Sequence, residues 1–198
     1  RRWTELGLFR KEGDQIFATA YPEGVRTATP VALRNFTRRA ATKSALSAEA
    51  NVDLWGTAGA ADLTRSLAWM MTLEVSQTES SALPSLASAH FPDTSRAIVQ
   101  NSSRFAGLKM WVPFLGFGRE PFSTIDPTVA LRDALPEIIS PGEVLPANVF
   151  LERTATALPV LDHGRWQTEI LSKTSEEPAY IRTGTLSTAL SRALLCLR

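Results

Sequence analysis

The sequence predicts a mainly α-helical protein with small β-hairpins, in which winged-helix-like ends flank a helical body. Three stretches carry that expectation. ADLTRSLAWMMTLEVSQ repeats apolar residues at helical spacing, FRKEGDQIFAT alternates around a glycine turn, and LSTALSRALLCLR forms a second amphipathic stripe at the far end. At 198 residues the chain is long enough for one substantial domain, or for a medium one with two partial ones.

The first stretch, RRWTELGLF, reads as the end of a helix, with Trp3, Leu6, Leu8 and Phe9 apolar and Gly7 at the helix stop. A hairpin around Glu12-Gly13-Asp14 follows, and Trp3, Leu6, Phe9, Ile16 and Phe17 are expected to cluster between helix and hairpin. Helix end, glycine, then charged hairpin is the order in which a recognition helix passes into a wing. Residues 1–21 are therefore expected to end an N-terminal winged-helix-like module. Residues 22–178 are read as a helical body, and 179–198 as the start of a C-terminal helix-turn-helix-like module. Both ends read as cut through such modules, which is what a piece of a longer chain would give.

Pro22, Gly24 and Pro30 mark a loop, and VALRNFTRRAATKSALSAE is helical in composition. In the third helical stretch, Leu63, Leu67, Met70 and Met71 recur at i, i+4, i+7 and i+8, the pattern of a core helix. The serine- and alanine-rich run SQTESSALPSLASAHFPDTS is expected to be a mobile loop. RFAGLKMWVPFLGFG reads as a helix ended at Gly116 and Gly118, and Phe122–Ile125 as one strand of a small ribbon. Asp126 is expected to cap a helix that begins at Pro127 and buries Leu131 and Leu135. Pro136, Pro141 and Pro146 should bound a connector, after which a helix runs through Phe150 and Leu151 to Pro159. In the last helix Ser187 is the expected N-cap, and Leu190, Ala193, Leu194 and Leu197 form its apolar side.

Lys+Arg, 21, nearly balance Asp+Glu, 20, so no global field draws the chain to nucleic acid or to a membrane. DNA binding would have to come from local concentrations of charge. These are Arg34, Arg38, Arg39 and Lys43 at helical spacing; Arg1, Arg2, Arg10 and Lys11 near one end; and Arg192 and Arg198 near the other. A phosphate-contacting face and a merely solvated one both explain such clusters.

The one cysteine, Cys196, excludes an internal disulfide and any cysteine-based zinc cage, fits a reduced cytoplasmic setting, and reads as a small apolar residue on a helix face. No apolar stretch approaches the ~18 residues of a membrane span, and no charged-then-apolar leader is recognised. Nucleophile elbows, phosphate loops and dinucleotide fingerprints are absent. Asp162 and His163 are the one pair that could support catalysis or bind a metal, and neighbours on a turn seldom present both side chains to one ion. The expectation is no enzyme, no metal and no cofactor.

RRWTELGLF, ADLTRSLAWMM, MWVPFLGFG, IDPTVALRDALP, LPVLDHGRW and LSTALSRALL together resemble the DpdG-like family of the bacterial dpd cluster, across nearly the whole chain. That cluster places 7-deazaguanine derivatives in DNA and restricts unmodified DNA. The resemblance implies a non-catalytic accessory protein of a modification and restriction (phage-defence) system in the bacterial cytoplasm. Its partners would be other proteins of that system and, where the basic clusters act, DNA. The alternative is a structural protein–protein adaptor that makes no direct DNA contact. No catalytic residue transfers from the family.

Overall fold

The computed structural model describes residues 4, 9–18, 29–75, 79–93, 97–98, 101–175 and 177–198. It opens on a two-stranded antiparallel hairpin, β1 (Phe9–Glu12) and β2 (Gln15–Ala18), in the register Phe9↔Ala18 to Glu12↔Gln15. The two turn residues are Gly13 and Asp14, and Gly13 takes a φ of +60°, which costs glycine nothing. Of the expected apolar cluster, Ile16 and Phe17 stand exposed, at 67% and 38%. Trp3, Leu6, Arg1 and Arg2 lie outside the described residues.

Nine α-helices follow among the described residues. They are α1 (Pro30–Ala45), α2 (Ala61–Met70), α3 (Leu83–His90), α4 (Ser102–Phe114), α5 (Thr128–Ile138), α6 (Ala147–Ala157), α7 (Arg165–Leu171), α8 (Ala179–Thr183) and α9 (Thr188–Cys196). A 3-10 turn, Glu49–Asn51, sits after α1. None of these helices is long and apolar enough to cross a membrane.

Helix α2 is the centre. Every residue except Asp62 is buried, including Leu67, Trp69 and Met70, so it is covered on all sides and not on one stripe alone. Helices α7 and α4 pack on it, while α5 packs on α1, α6 and α9. One continuous core runs from Ala41 and Ala45 of α1 through α2 to Ala189, Leu190 and Ala193 of α9. Trp166 of α7 is buried and donates its indole N–H to the Leu46 carbonyl, 2.8 Å away, closing the C-terminal end of α1. Gly164 permits the approach that sets up α7. A Cβ there would meet the Pro159 carbonyl oxygen at 2.4 Å, and that carbonyl accepts from both Trp166 N and Gln167 N.

Four sequence expectations are corrected. The serine- and alanine-rich run contains α3, because Leu83 and Ala87 fall at i and i+4 and bury one side while the small polar residues face water. The Phe122–Ile125 ribbon reduces to a single bridge between Gly118 and Ile125. Helix α5 runs through Pro136, which forfeits one hydrogen bond in the last turn, and the connector begins at Ile139; burial of Ile138 holds the turn. Cys196 lies on the exposed side of α9.

Ser187 caps α9 as expected, accepting from Leu190 N at 3.1 Å. Asp126 also binds the start of α5, accepting from Thr128 N at 3.1 Å, with the helix beginning one residue later than expected. Replacing Leu67 by Ala should lower unfolding stability by about 2–5 kcal/mol, because the all-round packing of α2 prevents collapse into the cavity. Chemical denaturation of the two proteins measures this.

Candidate functional site

The basic run on α1 meets its acids inside the fold. Arg34 and Arg38 stand at i and i+4 on α1, and Asp133 and Glu137 stand at i and i+4 on the facing helix α5. Arg38 sends both Nε and Nη2 to Asp133 Oδ2 at 2.7 Å, and Nη2 also reaches Asn35 Oδ1 at 2.9 Å. Lys43 approaches Glu137 at 3.5 Å, and Arg34 pairs with Glu120 at 3.0 Å. Arg34, Arg39 and Lys43 remain exposed, but Arg38 is only 7% exposed. A fully solvated cationic face is therefore corrected at Arg38, whose charge is held by Asp133; without it that carboxylate keeps only Arg132, at 3.5 Å.

The hairpin holds its cations outward. Arg10 and Lys11 are exposed; Arg10 pairs with Glu12 at 3.2 Å and lies over the Phe17 ring at 5.8 Å. At the other end Arg198 is exposed, while Arg192 is drawn to Asp126 at 3.6 Å. Asp126 also accepts from Arg119 Nε at 3.0 Å and from the Thr128 hydroxyl. Burial pushes the Asp126 carboxyl up, yet the hydrogen bonds from Thr128 and Arg119 and the charge of Arg192 outweigh it and hold the group below its usual value.

Asp162 and His163 do not form a joint site. Asp162 is buried and accepts from Ser187 N at 2.7 Å, tying the α7 entry to the α9 cap. His163 is exposed, in a left-handed turn conformation with φ of +63°. Among the described residues, no group of three or more His, Cys, Asp or Glu is arranged to hold a metal ion.

Two features were not legible in sequence. His90 belongs to the serine- and alanine-rich run expected as a loop, but its Nδ1 accepts from the indole N–H of buried Trp69 at 3.2 Å, and it lines a cleft where the ends of α2, α3 and α7 meet α8 and α9. Arg65 is buried in α2, donating to the Leu54 carbonyl and, at 3.3 Å, to the Gly56 carbonyl, with its guanidinium 5.6 Å from the Trp55 ring. Burial lowers its pKa from the ordinary guanidinium value. The available signal was the position itself: Arg65 lies inside the core helix α2, where a charge must find carbonyls or a counter-ion.

The fold defines a mainly α-helical protein with a small antiparallel hairpin, its exposed cations spread over that hairpin, α1, the helical body and the far end. The chain belongs to the DpdG-like family, whose profile matches residues 1–198, the whole of it. That membership associates it with the dpd modification system. No curated protein and no solved structure matches the chain.

Arg38→Ala should cost about 2–3 kcal/mol, because Asp133, nearly buried, keeps only its longer 3.5 Å contact with Arg132, whereas Arg39→Ala should stay within about 0.5 kcal/mol. Thermal or denaturant unfolding of both variants distinguishes the two roles. Asp126 adds a pH dependence. A lowered folded-state pKa contributes stability above the unfolded Asp value, about 3.9, which is lost as pH falls through the folded value. Unfolding measured from pH 5 down to pH 2 should therefore show a smaller loss in Asp126→Asn than in the wild type.

Proposed function

We propose that the chain is a non-catalytic accessory protein of a bacterial DNA modification and restriction (phage-defence) system, binding DNA or a DNA-bound partner from the cytoplasm. The observation that carries this reading is the hairpin, which turns Arg10 and Lys11 to solvent beside exposed Ile16 and Phe17, in a chain whose net charge is only +1. Two cations beside apolar side chains on a protruding ribbon suit a phosphate backbone next to a groove edge. Arg39 supplies a further exposed cation on α1, and Arg198 another at the far end. Membership of the DpdG-like family supports the system to which the activity is assigned.

In this reading residues 1–21 close an N-terminal winged-helix-like module and 179–198 open a C-terminal helix-turn-helix-like one, with 22–178 as the body between them. Arg1, Arg2, Arg34, Lys43 and Arg192 assist the contact, those on α1 and α9 by exchanging their present carboxylate partners for phosphate. Arg38 contributes by holding α1 on α5.

A second reading, the protein–protein adaptor, draws on a different observation. Much of the α1 charge is already matched by Glu120, Asp133 and Glu137, and Val31 and Leu33 are exposed on the first turn of that helix. Salt separates the two readings. Duplex DNA binding by the wild type should weaken steeply with salt, and Arg10→Ala/Lys11→Ala should lower the slope of log affinity against log salt by roughly two units, uniformly across DNA sequences. Affinity and slope left unchanged in that variant and in Arg39→Ala would favour the adaptor.

A further inference from the structure

Helix α4 carries a glycine that its own packing does not use. Gly107 stands in the middle of this 13-residue helix, where glycine is unfavourable because its backbone has the most freedom to lose. A glycine in that position ordinarily lets another element come close. Here a Cβ would meet no described atom within 4 Å outside its own stretch of helix. The space left open belongs to a cavity of about 340 Å³ between the start of α2, one face of α4 and Ile98. That volume lies in the range of small-molecule sites.

The cavity has an apolar side and a polar one. Leu63, Ile98 and Leu108 line the first, with Trp111 as an aromatic wall. The polar side is built on Asp62. Its Oδ2 accepts from Arg104 Nη1 at 2.6 Å, and its Oδ1 accepts from Leu63 N at 2.9 Å. These oxygens hold the wall in place and are not counted as ligand groups. Arg104 keeps Nε and Nη2 as donors among the described residues. Ser66 spends its proton on the Asp62 carbonyl at 2.7 Å or the Ile98 carbonyl at 3.3 Å, so its oxygen serves the cavity only as an acceptor. Asp62 thereby anchors a donor and an acceptor on the same side.

The ion pair also selects against charge. Arg104 is matched by Asp62, so a carboxylate entering here brings an unmatched charge against apolar side chains and loses hydration. A neutral amide supplies an acceptor for the guanidinium and a donor for Ser66 Oγ. An aromatic ring attached to it covers the apolar side.

We propose that this cavity binds a small neutral aromatic amide. The amide oxygen accepts from Arg104, the amide N–H donates to Ser66 Oγ, and the ring fills the space above Gly107 against Trp111. None of these residues is among the cations assigned to DNA, so the two readings stand or fall separately.

Ligand-observed NMR titration of the full chain tests the site, with benzamide as the probe, toluene as the analogue without the amide and benzoate as the anionic one. Saturable benzamide binding is expected, at least tenfold tighter than that of either control. Gly107→Leu, which fills the cavity, should abolish it. Gly107→Ala should raise Tm, because the helix gains propensity and the new methyl meets nothing. Arg104→Lys keeps a cation for Asp62 but loses the planar fork, so it should weaken benzamide at least tenfold and leave toluene unchanged. No saturable benzamide binding, binding retained in Gly107→Leu, benzamide affinity unchanged in Arg104→Lys, or either control binding as tightly as benzamide would each overturn the assignment.

Discussion

Complete burial of α2 is the constraint on which the rest of the structure depends. A helix covered on every side needs neighbours on every side, and its polar residues need partners among them. Thr64 donates to the Ala45 carbonyl at the end of α1, and Ser66 donates to the Asp62 and Ile98 carbonyls. Arg65 takes the carbonyls of Leu54 and Gly56. The same helix that supplies the apolar centre thus fixes three surrounding segments by hydrogen bonds. Because a buried donor left unmade costs more than a made one contributes, these bonds select this arrangement of loops over others that would bury similar area.

A second set of constraints is electrostatic. A basic helix packed beside Glu120, Asp133 and Glu137 has part of its field matched. Arg38 and Asp133 form the inner contact, shielded from water, while Arg34–Glu120 and Lys43–Glu137 remain at the rim. The rim pairs contribute little to stability and can be exchanged for other anions. The inner pair cannot be exchanged without loss of packing. The fold therefore divides the same run of arginines: Arg38 is held inside against Asp133, while Arg39 stays exposed.

The C-terminal quarter is joined to the body by polar contacts that cross long sequence distances. Asp162 reaches Ser187, Ser187 caps α9, Arg192 returns to Asp126, and the Thr188 hydroxyl bridges Val75 N and the Leu73 carbonyl. The Thr188–Leu73 contact belongs to the wall of the His90 cleft. A single buried carboxylate, Asp162, thereby links the cap of the last helix to the environment of Tyr180.

Much of the helical order was legible in local pattern. The i, i+4, i+7 spacing of Leu63, Leu67 and Met70, the glycine turn of the hairpin, and the short-range capping groups Asp126 and Ser187 all act within a few residues, so the sequence by itself determined them. Helix α3 was missed because only Leu83 and Ala87 reach the core and serine masks the period. Pro136 misled because a proline near a helix end loses one bond, which burial of a neighbour offsets. The family was legible from phrases along the chain. What only the tertiary structure decided is which charges are spent and which are presented: whether Arg38 faces water or Asp133, whether His90 sits in a loop or against Trp69, whether Cys196 is inside or out. The first two depend on partners about 20 to 100 residues away. Local propensity carries no information about such a partner, because the interaction exists only once packing has brought the two elements together.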